Sequence, residues 1–98
     1  MPRVTVQLPA VLAPMTSGAR TFEVEGATVR EALADLVRSE PALGMHLFDE
    51  GGGVRRYVAC FHNEEYLSAS EALSRALAEG DRITILNSIA GGAGGAGG

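Results

Sequence analysis

The feature that most constrains this chain is a change in the spacing of its apolar residues. Residues 4–8 alternate apolar and polar side chains, as do residues 22–24, and this period of two predicts two β-strands, the second ending at Gly26. The apolar positions then recur at i, i+3, i+4, i+7 and i+8, which predicts one face of an amphipathic helix. These helical positions are Val29, Ala32, Leu33, Leu36 and Val37.

Short local motifs set the ends of the predicted helices. Thr28 and Glu31 fit a capping box, in which a hydroxyl and a carboxylate each accept a hydrogen bond from a free backbone N–H. Pro41 ends this helix, since the residue before a proline avoids the helical conformation. A second box at residues 68–71 opens a short helix that we expect to end at Gly80. Its inward positions are predicted to be Ala72, Leu73, Ala76 and Leu77.

The rest of the chain adds strands and one apolar connection. Residues 55–63, 66–67 and 82–87 are predicted strands, and residues 51–53 form a turn or mobile loop. Four apolar residues are expected to cover the core as an irregular connection: Leu43, Met45, Leu47 and Phe48. The order ββαβ(β)αβ predicts an α+β fold in which a mixed sheet of four or five strands packs on one main helix, with a short second helix. With the last strand beside the first in the middle, this is the ubiquitin-like β-grasp arrangement.

Composition excludes several classes of function. The 98 residues carry a net charge of −4, which disfavours nonspecific binding to nucleic acid or to acidic membranes. The single cysteine, Cys60, forms no internal disulfide and provides no cysteine-only metal site. No apolar stretch reaches the roughly 20 residues of a membrane span. We therefore expect a cytoplasmic domain with no nucleic-acid or membrane partner, no metal and no bound cofactor.

The candidate catalytic residues are few. Cys60 and His62 share one face of a strand, as a nucleophile and its base or two metal ligands would. The alternative, which we favour, is a buried core cysteine and a histidine at the strand's end, because free cysteine is commonly buried and no third partner is evident. The glycines at 51–53 lack the Lys and Ser or Thr of a phosphate-binding loop. The sequence therefore predicts no enzyme.

The most unusual segment is the run of glycine and alanine at residues 90–98. Its three-residue repeat has no side chain that could bury apolar surface, so we predict a mobile tail after a folded domain at residues 1–89. An extended Gly-Gly end fits a narrow channel and can present its carboxylate to a nucleotide site of a partner. A flexible spacer without chemical function has the same composition, and this alternative stays open.

Taken in order and spacing, these segments resemble the MoaD/ThiS-like ubiquitin-fold sulfur carriers, and within that family the CysO-type members. The resemblance runs from Val4 to Gly92 and includes the opening strand, the helix at residues 28–36 and the strand at residues 56–62 with Asn63-Glu64-Glu65 after it. Its most specific part is the closing motif at residues 80–92, a Gly-Asp pair, an alternating strand and Gly91-Gly92.

This resemblance implies a protein carrier rather than a catalyst. A ubiquitin-activating-type enzyme would use ATP to adenylate the terminal glycine carboxylate, and sulfur would replace one oxygen to give a thiocarboxylate. A biosynthetic enzyme would accept the sulfur for cysteine, molybdopterin, thiamin or a related metabolite, and a metalloprotease would release the product or trim the tail. The alternatives are a ubiquitin-like protein modifier and a β-grasp binding subunit whose tail is incidental.

The reactive glycine is not fixed by this resemblance. Members of the family usually end at or near the position of Gly92, whereas this chain continues to Gly98. Either a protease trims the chain to Gly91-Gly92, or to Gly95, or the pair Gly97-Gly98 is itself the reactive end.

Alternation also predicts a docking surface near the tail. Leu86 lies on the face opposite the inward Ile83 and Ile85, and we expect Phe61 and Tyr57 to point the same way. The predicted docking residues are Leu86, Phe61, Tyr57 and Ile89. The alternative is that residues 40–54 cover Phe61 and Tyr57. The acidic balance of the chain predicts a partner with a basic face.

Overall fold

The computed structural model describes residues 1–87 of the chain. Its strands are β1 (Arg3–Gln7), β2 (Thr21–Glu25), β3 (Val58–His62), β4 (Glu65–Leu67) and β5 (Arg82–Asn87). Its α-helices are α1 (Val29–Ser39), α2 (Gly44–Leu47) and α3 (Ala69–Ala72), and 3₁₀ segments span Ala10–Met15 and Pro41–Leu43. Ile89 and the predicted tail at residues 90–98 lie outside the described residues, so the domain boundary stays a prediction. Among residues 1–87, no helix has the length and apolar character that a bilayer span requires.

The five strands form one mixed sheet in the order β2-β1-β5-β3-β4. β1 pairs antiparallel with β2 and parallel with β5, with Thr5 opposite Arg82. β3 pairs antiparallel with β5, with Cys60 opposite Ile85. This topology confirms the predicted place of the last strand in the middle of the sheet, and five strands are present rather than four.

The core lies between one face of the sheet and α1. The sheet contributes alternate residues from its strands, and α1 contributes the predicted helical face. The most deeply buried of these side chains are Val4, Val6, Val29, Leu33, Leu36, Cys60, Ile83 and Ile85. Thr28 caps α1, since its hydroxyl oxygen accepts a hydrogen bond from the backbone N–H of Glu31 at 3.3 Å. The predicted capping box is only half formed, because the Glu31 carboxylate accepts from the N–H of Ala27 at 2.8 Å and not from that of Thr28.

Gly26 marks the closest backbone approach between the sheet and α1. A Cβ added to Gly26 would lie 2.4 Å from the backbone nitrogen of Ala32 and 2.8 Å from the carbonyl carbon of Glu31. Only glycine therefore lets the chain turn from β2 into α1 at this distance.

Two predicted boundaries are wrong. β3 begins at Val58 rather than at residue 55, because the N–H of Val58 donates to the carbonyl of Arg55 and closes a turn. The second helix ends after a single turn, although its capping box at Ser68 is present. The chain after it instead supports the start of α1, since the carbonyl of Arg75 accepts a hydrogen bond from the N–H of Val29 at 3.0 Å.

Because the short helix ends early, the predicted inward set is only partly confirmed. Ala72 and Leu77 are buried and Leu73 packs against the core, whereas Ala76 is exposed. Gly80 is not a helix cap. It adopts a φ of 87° in the turn before β5, a conformation that suits glycine.

The apolar connection at residues 41–48 is more regular than the sequence suggested. Its 3₁₀ segment and α2 bury Leu43 and Leu47 completely, and Phe48 packs partly against the core. Met45 is 68% exposed, so the prediction that it covers the core is wrong. Leu43 and Leu47 are four residues apart and therefore share the buried face of this helical segment. Met45 is midway between them in the sequence and lies on the opposite, exposed face.

Candidate functional site

The central strand ends at Asn87, three residues before the predicted tail at residues 90–98. β5 is held on both sides, with Thr84 opposite Gln7 of β1 and Asn87 opposite Val58 of β3. The backbone pairing to β3 therefore continues to the last described residue. We call this end of the sheet the exit end, because the polypeptide continues from it into residue 88.

An apolar cluster lies on the outer face of the sheet and reaches the exit end at Leu86. Pairing across β5, β3 and β4 places Leu86 opposite Ala59 and Phe61 opposite Tyr66. The rings of Phe61 and Tyr66 meet edge to face with centroids 5.5 Å apart. Leu86 is 46% exposed and Tyr66 is 59% exposed. These four residues, Ala59, Phe61, Tyr66 and Leu86, are the outer patch.

The structure brings together some of the predicted docking residues and separates another. Leu86 and Phe61 both lie in the outer patch. Tyr57 does not join them, because it precedes the start of β3 and packs against the core. The alternation of β3 therefore does not extend to Tyr57. Ile89 and the glycines proposed as the reactive end (Gly91, Gly92, Gly95, Gly97 and Gly98) lie beyond residue 87.

Tyr66 is the outer-patch residue that sequence reasoning missed. The sequence predicted a strand at residues 66–67, but its pairing register was not assigned. The turn at Asn63 fixes that register, since Asn63 adopts a φ of 57° and lets β3 and β4 pair as a tight hairpin. An asparagine between two short apolar strands is the signal that could have placed Tyr66 beside Phe61.

At the opposite end of the sheet, His62 is part of a polar network. Its Nε2 lies 2.7 Å from Oδ2 of Asp81, and its Nδ1 lies 3.2 Å from Nη1 of Arg75. A guanidinium only donates, so Nδ1 accepts and Nε2–H donates to Asp81. Arg75 also donates two hydrogen bonds to the carboxylate of Glu65, at 2.9 and 2.8 Å.

These contacts lower the pKa of the carboxyl groups in the network. The hydrogen bond from His62, and then that from the backbone N–H of Ala78, hold the pKa of Asp81 below its usual value. The hydrogen bonds from Arg75 lower the pKa of Glu65 in the same way. The network therefore joins β3, β4, the segment after α3 and the start of β5.

Cys60 and His62 do not form a nucleophile and base pair. Both ring nitrogens of His62 are used by Asp81 and Arg75. Cys60 is 1% exposed, and its burial raises the pKa of the thiol to about 11. Cys60 is therefore a core residue, as the favoured alternative held. No group of three or more His, Cys, Asp or Glu side chains within residues 1–87 is placed to hold a metal ion.

A shallow polar depression of about 320 Å³ also lies near the start of β5. It is lined by Thr5, Asn63, Glu64, Gly80 and Arg82. This depression is at the far end of β5 from residue 87. The exit end and the outer patch are therefore the features that connect directly to the predicted tail.

Comparison with known proteins agrees with this geometry. A model of the ThiS family matches residues 6–92. The sulfur carrier protein CysO of Mycobacterium tuberculosis is 34% identical over 91 residues, which cover 91% of this chain and 98% of CysO. The same values hold for CysO of Mycobacterium bovis.

Solved structures show the same fold. The crystal structure of the BexX/CysO complex of Amycolatopsis orientalis matches with a TM-score of 0.82 and 32% identity, covering 94% of this chain and 99% of the other. SAMP1 of Haloferax volcanii matches with a TM-score of 0.79 and 30% identity, covering 95% and 99% of the two chains. These similarities confirm both the predicted ubiquitin-like β-grasp fold and the family resemblance: the chain belongs to the ThiS family.

Proposed function

We propose that this chain is a sulfur carrier of the ThiS/CysO type, in which a C-terminal glycine is the reactive group. The observation that carries the proposal is the family match, which continues beyond β5 and ends at Gly92, the second residue of the Gly91-Gly92 pair. In this proposal the chain is a substrate of partner enzymes and not a catalyst. The adenylating enzyme that acts on the chain needs ATP, which fits a cytoplasmic location.

The proposed chemistry activates a carboxylate, which is otherwise a poor electrophile. One carboxylate oxygen of the terminal glycine attacks the α-phosphorus of ATP on an adenylating enzyme, and pyrophosphate leaves. A sulfur nucleophile such as hydrosulfide then attacks the acyl carbon, and AMP leaves with the carboxylate oxygen. The product is a thiocarboxylate, whose sulfur attacks an electrophilic substrate on a biosynthetic enzyme. Hydrolysis of the resulting acyl–sulfur bond, assigned to a metalloprotease, returns the glycine carboxylate.

The folded body would hold the reactive end and offer it to these enzymes. β5 is hydrogen-bonded to β1 on one side and to β3 on the other, and these two ladders fix the position of its end. Once the folded body is docked, the distance that the glycine can reach is therefore set by the number of residues after β5. Gly92 is the fifth residue after Asn87, and this stretch spans at most about 18 Å when extended. The outer patch supplies apolar contact area beside this start, which is what a docking surface requires.

The position of the reactive glycine can be tested with three proteins that end at Gly92, Gly95 and Gly98. Each is incubated with the adenylating enzyme of the source organism, ATP and sodium sulfide, and its intact mass is measured. We expect the form ending at Gly92 to gain about 16 Da, the replacement of one oxygen by sulfur. Absence of this gain in all three forms, with an enzyme shown to be active on another carrier, would refute the proposal.

A protein modifier is the second candidate, because SAMP1 is the small archaeal modifier protein 1 and its structure matches over 95% of this chain. The same adenylate would then be captured by a lysine amine to give an amide. All eight basic residues of this chain are arginines, so a lysine adduct must be on another protein. Mass spectrometry of digested cell extract would find lysines carrying the glycine remnant if the chain is a modifier, and none if it is only a carrier.

A further inference from the structure

Three arginines lie at the exit end of the sheet, from which the chain continues into residue 88. The backbone N–H of Leu8, which follows β1, donates to the carbonyl of Arg20 at 2.7 Å, and β1 runs parallel to β5. Arg20 therefore lies at the exit end on one side of β5. Arg55 and Arg56 lie at the same end on the other side, because they precede Val58, the partner of Asn87. Neighbouring strands are about 5 Å apart, so the backbone of Arg20 lies roughly two strand spacings from β5 and that of Arg55 and Arg56 roughly one.

These arginines, Arg20, Arg55 and Arg56, form what we call the arginine collar. Arg20 and Arg56 are exposed, and Arg55 is half-buried. Nε of Arg20 donates to the carbonyl of Leu8 at 3.2 Å, and Nε of Arg55 donates to the carbonyl of Met45 at 2.5 Å. These contacts hold two of the guanidinium groups against the backbone of the exit end.

The collar arginines form no ion pair in the part of the chain that the structure describes. The arginine ion pairs found there involve Arg3, Arg38 and Arg75. The acidic residues nearest in sequence are Glu23, three residues after Arg20, and Asp49 and Glu50 before Arg55. None of them is ion-paired with the collar, and Oδ1 of Asp49 already accepts hydrogen bonds from the N–H groups of Gly51 and Gly53. All acidic residues of the chain lie before residue 88, so residues 88–98 supply no carboxylate side chain either.

The opposite end of the sheet has the reverse character. It carries the carboxylates of Glu25, Glu64, Glu65, Glu79 and Asp81. Three arginines also lie there, Arg3 and Arg75 in ion pairs with Glu25 and Glu65, and Arg82 at the start of β5, so this end keeps an excess of negative charge. The net charge of −4 therefore hides an uneven distribution, with arginines at the exit end that form no ion pair within residues 1–87 and an acidic excess at the other end. The charge of the whole chain predicts a basic partner face, whereas the local arrangement at the exit end favours an acidic one.

We propose that the arginine collar binds carboxylates of the partner enzyme at the mouth of the channel that receives residues 88–92. This inference rests on the proposed function. Guanidinium groups form charge-assisted, bidentate contacts with carboxylates, which would orient the body as the tail enters. Because Arg20 and Arg56 are solvent-exposed, the main contribution of the collar is to the association rate and to orientation, and salt should weaken it.

The test compares Arg56→Glu with Arg30→Glu, which changes an exposed arginine at the start of α1 and lowers the net charge by the same amount. Arg30 has no ion pair within residues 1–87, so it is a matched control. Binding of each variant, ending at Gly92, to the immobilised adenylating enzyme is measured by biolayer interferometry at low salt and at 0.5 M salt. We expect Arg56→Glu to lower the association rate about tenfold at low salt. Arg30→Glu should change it less than about twofold, and high salt should remove the difference.

A second variant, Arg55→Glu/Arg56→Glu, should show a larger decrease, and circular dichroism establishes that each variant is folded. Equal association rates for Arg56→Glu and Arg30→Glu would overturn the proposal that the collar binds the partner. So would a decrease that persists at high salt. Thiocarboxylate formation by the wild type, measured in parallel at saturating enzyme, separates the two proposals. If the wild type forms the thiocarboxylate but the two variants bind at the same rate, only the proposed role of the collar is wrong. If the wild type never forms the thiocarboxylate, the proposed function is wrong.

Discussion

Leu86 lies directly opposite Ala59 in the pairing of β5 with β3, and the small methyl group of Ala59 leaves Leu86 46% exposed. In a sheet that is covered on both faces, a leucine of the central strand would be buried. Here it stands on the outer face, one residue before the end of β5. This position gives the outer patch an apolar group four residues before the predicted tail at residues 90–98.

The change Leu86→Asp should abolish docking without unfolding the domain. The side chain makes its contacts on the outer face, so we expect the free energy of unfolding to fall by less than about 1 kcal/mol. A charge in the centre of an apolar interface should weaken binding to the adenylating enzyme by about 30-fold, or roughly 2 kcal/mol. Thiocarboxylate formation at subsaturating enzyme, followed by intact mass, measures this loss.

The matched control is Ala34→Asp, which places the same charge on the exposed face of α1. It should leave thiocarboxylate formation unchanged. If Leu86→Asp reacts as fast as Ala34→Asp, then the outer patch is not the docking surface.

The substitution Gly26→Ala should destabilise the fold although it adds one methyl group. The added Cβ would lie 2.4 Å from the backbone nitrogen of Ala32, so β2 and α1 must separate. We expect a loss of about 1–3 kcal/mol in the free energy of unfolding, measured by urea denaturation. Gly51→Ala is the control, since its Cβ would meet only the Asp49 carboxylate at 3.5 Å, and it should change stability by less than about 0.5 kcal/mol. Equal effects at both positions would contradict the close approach.

The thiol of Cys60 should be unreactive in the folded protein. It is 1% exposed and has a pKa of about 11, so at pH 8 little thiolate forms and reagents do not reach it. Dithionitrobenzoate should therefore label no thiol in native protein and one thiol per chain in 6 M guanidinium. Rapid labelling of the native protein at pH 8 would show that Cys60 is accessible after all.

Acid should weaken the fold through the Asp81 network. The pKa of Asp81 is lower in the folded protein than in the unfolded chain, so its stabilisation is complete above its unfolded value of about 4. This stabilisation is lost as the pH falls through the folded value. Glu65 and Glu71 have lowered pKa values and contribute with the same sign.

The test of this network is the variant Asp81→Asn, followed by thermal unfolding between pH 2 and pH 7. At pH 7 we expect a loss of about 1–2 kcal/mol, because the charge-assisted hydrogen bond to His62 is weakened. The difference from the wild type should shrink toward pH 2, where Asp81 itself is protonated. A difference that stays constant across this range would show that the charge of Asp81 is not what stabilises the fold.

The sequence predicted the parts of this fold that depend on local physics. Apolar period, capping residues and glycine positions identified each strand and the main helix, and the order of these elements placed β5 in the middle of the sheet. What failed depends on contacts between distant segments. The helix after Ser68 ends early because residues 73–77 hydrogen-bond to the start of α1, and no local signal encodes that competition.

In the candidate site, too, the sequence predicted what depends on local pattern and missed what depends on contacts between distant segments. Alternation placed Leu86 and Phe61 on the outer face, since both lie within regular strands. Tyr57 was misplaced because β3 begins at the next residue, Val58, so the alternation of the strand does not include Tyr57. The turn before β3 lets its side chain pack against the core. Tyr66 and the arginine collar were missed because each requires the pairing register of several strands, which periodicity alone does not give.

The two ladders of β5 also determine how the domain responds to traction. A force that pulls the chain away from Asn87 along the strand loads the hydrogen bonds to β1 and β3 in shear, so both ladders must break together. A protease that pulls on the chain beyond residue 87 would therefore meet its greatest resistance at β5. An enzyme could grip and withdraw the chain beyond residue 87 many times, and the body would remain intact after each cycle.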